Sequence, residues 1–179
     1  MRKRVIFSGV GTALITPFVD TKIDFKALGN IIDFQIDAGV DALIIAGTTG
    51  EASTLTEDER YSLYEFAKSY TVGRIPIILG TGSNDTKTAI KYTRRAAEIG
   101  ADAALVVTPY YNKGTASGVV SHYKSIADCS DLPIILYNVP SRTGVNLSFD
   151  SVRELSEHEN IIAIKEASDS ADRLTELSL

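Results

Sequence analysis

Apolar residues along this chain gather into six short runs, and the segments between them carry apolar residues at helical spacing. The runs predict strands at Gly11–Ile15, Ala42–Ala46, Ile75–Leu79, Ala103–Val107, Ile134–Tyr137 and Ile161–Ile164. A parallel strand covered by helices on its faces reads as such a near-continuous apolar run. Between the runs, Asp24, Thr56, Asn84 and Ser148 stand where a helix N-cap would accept bonds from orphan backbone N–H groups. Thr56 with Glu59 fits a capping box, and Gly39 and Gly100 suit the left-handed residue that ends a helix. A weak repeat runs through the same pattern: Ala38–Ile44 resembles Ile99–Leu105, and Ile75–Leu79 resembles Leu132–Leu136. The matched segments lie about 60 residues apart, which is two βα units of ~30 residues each.

Successive βα units build a parallel sheet with helices outside. An open doubly wound sheet and a closed barrel share this local pattern, but polar residues separate them. Polar groups follow several strands: Gly47-Thr48-Thr49-Gly50-Glu51, Thr108-Pro109-Tyr110-Tyr111-Asn112, Tyr137-Asn138-Val139-Pro140 and Lys165-Glu166. A barrel collects its site from many strand ends, whereas an open sheet concentrates it at one switch point. The expected fold is therefore α/β, of the (β/α)8 TIM-barrel family. A barrel takes eight strands and typically ~250 residues. This chain supplies about six of the eight βα units, read as a single partial barrel domain over residues 1–179, with its last helix starting near Ser170.

Composition narrows the function classes. Net charge is −5, from 18 basic and 23 acidic side chains, with no basic patch suited to a phosphate backbone, so nucleic acid is not expected as a partner. The basic opening Met1-Arg2-Lys3-Arg4 is not followed by a long apolar core or a small-residue cleavage site, so no secretory signal is read. The apolar runs fall far short of the ~20 residues that span a bilayer. Cys129 is the only cysteine, which excludes an internal disulfide and fits a reducing, cytoplasmic setting. His122 and His158 are the only histidines, so no zinc-type ligand set is expected. Gly80-Thr81-Gly82 lacks the third glycine of a dinucleotide loop, and Gly47–Glu51 lacks the ending of a phosphate loop.

The candidate chemistry centres on Lys165, which ends the run Ile161-Ile162-Ala163-Ile164. Lysine is rarely buried without a partner. Here it either reaches into solvent or is kept for its amine. Desolvation among Ile162, Ala163 and Ile164 would favour the neutral amine that attacks a ketone, and the resulting imine is an electron sink. Imine formation needs proton transfers, which phenols and hydroxyls within hydrogen-bond reach can supply. Tyr137 ends the preceding strand; Thr48, Thr49, Tyr110 and Tyr111 follow two others. Taken singly, the threonines suit turn chemistry and the tyrosines suit rim packing. Arg142, in Pro140-Ser141-Arg142-Thr143-Gly144, offers a planar fork for a carboxylate, or a surface charge.

Gly47–Glu51, Thr108-Pro109-Tyr110-Tyr111-Asn112-Lys113, Tyr137–Gly144 and Ile164-Lys165-Glu166-Ala167 together resemble the dihydrodipicolinate synthase family, in order and at compatible spacing from Gly9 onward. The resemblance implies a class I, Schiff-base lyase in which pyruvate condenses on Lys165, with no metal and no separate cofactor. The enamine would then attack L-aspartate 4-semialdehyde, in diaminopimelate and lysine biosynthesis. It implies Tyr137 as the proton-transfer phenol, linked by Thr48 to Tyr111 from a neighbouring subunit. Thr49 would hold the pyruvate carboxylate and Arg142 that of the semialdehyde. It further implies a homo-oligomer, a tetramer or a dimer of tight dimers.

Other readings stay open. N-acetylneuraminate lyases and keto-deoxy-sugar-acid aldolases resemble the chain at the lysine and the preceding tyrosine, while the paired threonines and Arg142 favour the synthase. The family's strands seven and eight and its C-terminal helical region are absent, so the chain reads as C-terminally truncated and as a possible inactive partial barrel. Lysine-sensitive members bind lysine at a site that Asn84 and Tyr110 match, but Glu57, Arg60 and Thr88 replace the expected residues there. Lysine feedback is therefore not expected.

Overall fold

The computed structural model describes residues 3–168 and 170–178, so Met1 and Arg2 of the basic opening lie outside the described residues. Six parallel strands form one curled sheet: β1 (Gly11–Ala13), β4 (Ala42–Ile45), β5 (Ile77–Gly80), β6 (Ala103–Val107), β7 (Ile134–Asn138) and β8 (Ile161–Glu166), side by side in chain order. The missing numbers, β2 (Phe18–Val19) and β3 (Lys22–Ile23), form a small antiparallel ribbon beyond the end of β1. Between the strands lie α1 (Phe25–Asp37), α2 (Glu57–Thr71), α3 (Thr86–Ile99) and α4 (Ala116–Ala127), then α5 (Pro140–Thr143) and α6 (Phe149–Ser156), and α7 (Ala171–Ser178) follows β8. The result is a half-barrel with β1 and β8 at its edges.

The continuous apolar runs have a physical cause, since both faces of the sheet are covered. Outward-facing Leu43, Ile45, Ile77, Leu79, Ala104, Val106, Ile134 and Leu136 pack under the helices against Leu28, Ile32, Leu63, Tyr64, Tyr123 and Ile126. Inward-facing Ala42, Ile44, Ile78, Ala103, Leu105, Ile135 and Tyr137 form a second cluster in the barrel interior. Each such Ile or Leu, fully buried, contributes about 1.5–3 kcal/mol.

Strand boundaries depart from the sequence pattern for identifiable reasons. The third strand begins at Ile77 because Pro76 has no N–H for the ladder; its carbonyl accepts from Leu43 N instead. The first strand stops at Ala13, and Ile15 is exposed. The cap of α3 is Asp85, not Asn84: its carboxylate accepts from the Thr88 N–H and hydroxyl, which a charged acceptor does well. Asp24, Thr56 and Ser148 cap as expected, and Thr56 with Glu59 completes the capping box. The ribbon was not foreseen; Asp20, with φ at 54°, turns it.

One irregularity bears on the site. Along β7 and β8, Ile134 stands opposite Ile161, but Ile135 stands opposite Ala163, so β8 carries an extra residue there. Beyond this bulge, Leu136 faces Ile164, Tyr137 faces Lys165 and Asn138 faces Glu166. Side chains alternate along a strand, so one inserted residue exchanges the faces of everything after it. Ile161 points outward to the helices. The bulge is what places Lys165 on the inner face with Tyr137.

Candidate active site

All six residues singled out as catalytic or substrate-binding lie at the C-terminal end of the sheet. The structure brings four of them around one place. Thr48, Tyr137 and Arg142 line a cavity of about 350 Å³, together with Gly47, Leu105, Val107 and Tyr110. Lys165 adjoins it on the neighbouring strand, with Nζ 4.5 Å from the centre of the Tyr137 ring. A cation over an aromatic face is an attractive arrangement. Tyr137 is only 6% exposed, which fixes the ring under the amine.

The other two stand apart. Thr49 is exposed in the loop after β4 and does not line the cavity. Tyr111, in the loop after β6, is 87% exposed and turned outward. Its φ of 71° lies in the left-handed region, uncommon for an aromatic residue and a marker of local strain at functional loops. Arg142 is on the single turn of α5, exposed at the rim.

The dry surroundings expected for Lys165 are corrected by the structure. Ile162 and Ile164 are half-buried and Ala163 is exposed, because among the described residues β8 pairs with β7 alone. Lys165 itself is half-buried.

Residues not singled out from the sequence hold this site in place. Thr108, fully buried after β6, donates its hydroxyl to the Tyr137 carbonyl at 3.1 Å, and its N–H bonds the same oxygen at 2.9 Å. Tyr123 on α4 donates to the Val106 carbonyl, and burial raises its phenol far above the ordinary range. Gly80 is obligatory: a Cβ there would come within 2.0 Å of the Ala46 carbonyl oxygen. Arg60, 4% exposed, donates to the carbonyls of Gly80 and Ala52 and lies 4.4 Å over the Tyr92 ring. It thereby ties the loop that carries Thr48 to the end of β5. Behind the sheet, Asn138, Glu166 and Arg173 form a buried polar network. Burial works to raise the Glu166 carboxyl, but hydrogen bonds from Arg173, Asn138 and Ser168 outweigh it and hold the group below the usual carboxylate range.

The residues at the possible lysine site are engaged within the chain. Glu57 pairs with Lys91, the Thr88 hydroxyl with Asp85, and Asn84 with Asn112, while Arg60 bonds the carbonyls just named. Among the described residues, no three His, Cys, Asp or Glu side chains gather as a metal ion would require, and no helix is long and apolar enough to cross a membrane.

Known proteins are close to this chain in sequence and structure. The 4-hydroxy-tetrahydrodipicolinate synthase of Alkaliphilus oremlandii is 52% identical over 172 residues, covering 96% of this chain and 59% of that protein. The crystal structure of dihydrodipicolinate synthase from Aquifex aeolicus superposes with a TM-score of 0.93 at 50% identity, covering 96% of this chain and 59% of that one. The chloride-inhibited dihydrodipicolinate synthase from Acinetobacter baumannii, complexed with pyruvate, superposes with a TM-score of 0.92 at 44% identity, covering 97% of this chain and 61% of its own. The chain thus spans about 60% of the length of these relatives. The model of the dihydrodipicolinate synthetase family matches residues 6–178. A match over nearly the whole sequence, joined to the half-barrel and the lysine–tyrosine pair at its strand ends, makes this chain a member of the dihydrodipicolinate synthetase family.

Proposed function

We propose that the protein is a 4-hydroxy-tetrahydrodipicolinate synthase, a lyase of the class I aldolase type acting through an imine on Lys165. The observation that carries this reading is the pairing of Lys165 with Tyr137, an amine 4.5 Å above a phenol ring beside a cavity rimmed by Arg142. Lys165 Nζ adds to the ketone carbon of pyruvate, and the ketone oxygen leaves as water, giving the iminium. Loss of a methyl proton then yields an enamine, whose carbon attacks the aldehyde of L-aspartate 4-semialdehyde. The amine of the added fragment displaces Lys165, closing the ring and freeing the enzyme. The imine nitrogen is the electron sink, so the reaction requires no metal and no separate cofactor.

The remaining residues take roles around that step. Tyr137 moves the protons of imine formation, with Thr48 on the same cavity wall. Thr49 holds the pyruvate carboxylate, and Arg142 at the rim binds that of the semialdehyde. Tyr111, almost fully exposed, suits a phenol that serves the cavity of a neighbouring copy in a cytoplasmic homo-oligomer. The related Acinetobacter baumannii structure, crystallised with pyruvate, supports this substrate.

Pyruvate followed by borohydride tests the reading. The adduct mass is expected on the Lys165 peptide after proteolysis and is expected to vanish in Lys165→Arg. An adduct elsewhere, or none, overturns it.

A further inference from the structure

Immediately after the paired Tyr137 and Lys165, the same two strands carry Asn138 and Glu166, which face each other in register on the opposite side of the sheet. Asn138 is fully buried, and the Glu166 side chain is 3% exposed. Asn138 Nδ2 donates to both carboxylate oxygens, at 2.9 and 3.0 Å. Its Oδ1 accepts from Leu147 N at 3.1 Å, and its Nδ2 also reaches Asn146 Oδ1 at 2.8 Å. Glu166 accepts further from Ser168 N and from Arg173 Nε at 2.7 Å, and Arg173 on α7 donates in turn to the Leu147 carbonyl. Together the links tie the ends of β7 and β8 to each other, to the loops that follow them and to α7.

The network sits where the sheet itself gives least support. Among the described residues β8 is held by backbone bonds to β7 alone, and its register has already shifted at the bulge. A buried amide with its partners satisfied is rigid, and a buried carboxylate persists only when it is paired and hydrogen-bonded. The cross-strand bond therefore fixes the separation and twist of the two strand ends one residue beyond the amine and the phenol.

We infer that Asn138 and Glu166, anchored by Arg173, are positioning residues that hold Lys165 over Tyr137 from behind the sheet. They touch neither substrate nor reacting atom. Their effect on catalysis rests on the imine reading above, but their effect on geometry does not.

Two readouts on the purified protein test this. The first is the NMR signal of the Lys165 ε-carbon protons in protein labelled at lysine, identified by its loss in Lys165→Arg and displaced by the Tyr137 ring current. Asn138→Asp, which sets two carboxylates against each other, is expected to return that signal to the position of free lysines. The exchanged pair Asn138→Asp with Glu166→Gln restores one donor against one acceptor and is expected to recover the displacement. The second readout is borohydride trapping of pyruvate. Asn138→Asp is expected to slow it about tenfold at saturating pyruvate, with the half-saturating concentration within about twofold, because misplacement of a reacting group acts on the chemical step. The exchanged pair is expected to recover most of that rate. An unchanged ring-current shift in folded Asn138→Asp, or an exchanged pair no better than the single variant, overturns the inference. If wild type forms no adduct while the NMR result follows this pattern, the positioning stands and the imine reading falls.

Discussion

A lysine at the end of an apolar strand gains its meaning from the ring beneath it. Tyr137→Phe keeps the packing and removes only the hydroxyl. Imine trapping is expected to slow by about 10²-fold, the range lost with a general acid–base group, while the adduct still forms on Lys165. Arg142→Ala lies at an exposed rim and is expected to leave pyruvate trapping unchanged while raising the KM for the semialdehyde at least tenfold; steady-state kinetics with each substrate varied separates the two. With Glu57, Arg60 and Thr88 all bonded within the chain, millimolar lysine should leave the condensation rate unchanged, and half-maximal inhibition in that range would contradict this. The candidate pair was legible in the sequence because each member ends an apolar run. Its supports were not. Arg60 follows Glu57, Asp58 and Glu59 and reads as part of a solvated charged face, yet it is buried by contacts with Gly80 and Tyr92. Arg173 and Glu166 meet only because α7 folds back on β8.

At the scale of elements, helix ends and buried helix faces set the sensitivities. Thr56→Ala removes the bond from Glu59 N and the hydroxyl's own bond to the Glu59 carboxylate, and is expected to cost about 1 kcal/mol in denaturant titration. His122 on α4 is 6% exposed, with Nδ1 2.9 Å from the Thr86 hydroxyl. Burial lowers its pKa to about 4 from the ordinary 6.5, against a weaker opposing pull from Asp85. Between those values the unfolded chain takes up a proton that the folded chain refuses. Stability is therefore expected to fall as pH drops from about 6.5 to 4, by up to about 3 kcal/mol, and His122→Gln should flatten that slope. β6 matched its apolar run residue for residue, because both faces of that strand are covered. Where competing chemistry is local, the pattern misleads: Pro76 delays β5, and Asp85 outcompetes Asn84 as a cap. The β2–β3 ribbon escaped notice because two-residue strands leave no periodicity to read.

For the molecule as a whole, the alternation of runs and the spread of polar strand ends were enough to specify a barrel-type sheet, because both follow from βα geometry. The openness of the Lys165 surroundings was not legible, since exposure at an edge depends on which strands lie beside it rather than on the strand itself. The bulge in β8 gives the chemistry an unusual dependence on counting. Deleting Ile162 would remove the bulge and leave Lys165 opposite Tyr137, whereas pairing every residue of β8 in uninterrupted alternation from Ile161 would turn Lys165 toward the helices and Glu166 toward the cavity. The interior would then present a carboxylate where it now presents an amine, an acid in place of a nucleophile. The bulge, by absorbing one extra residue, thus decides which of two neighbouring functional groups faces the cavity.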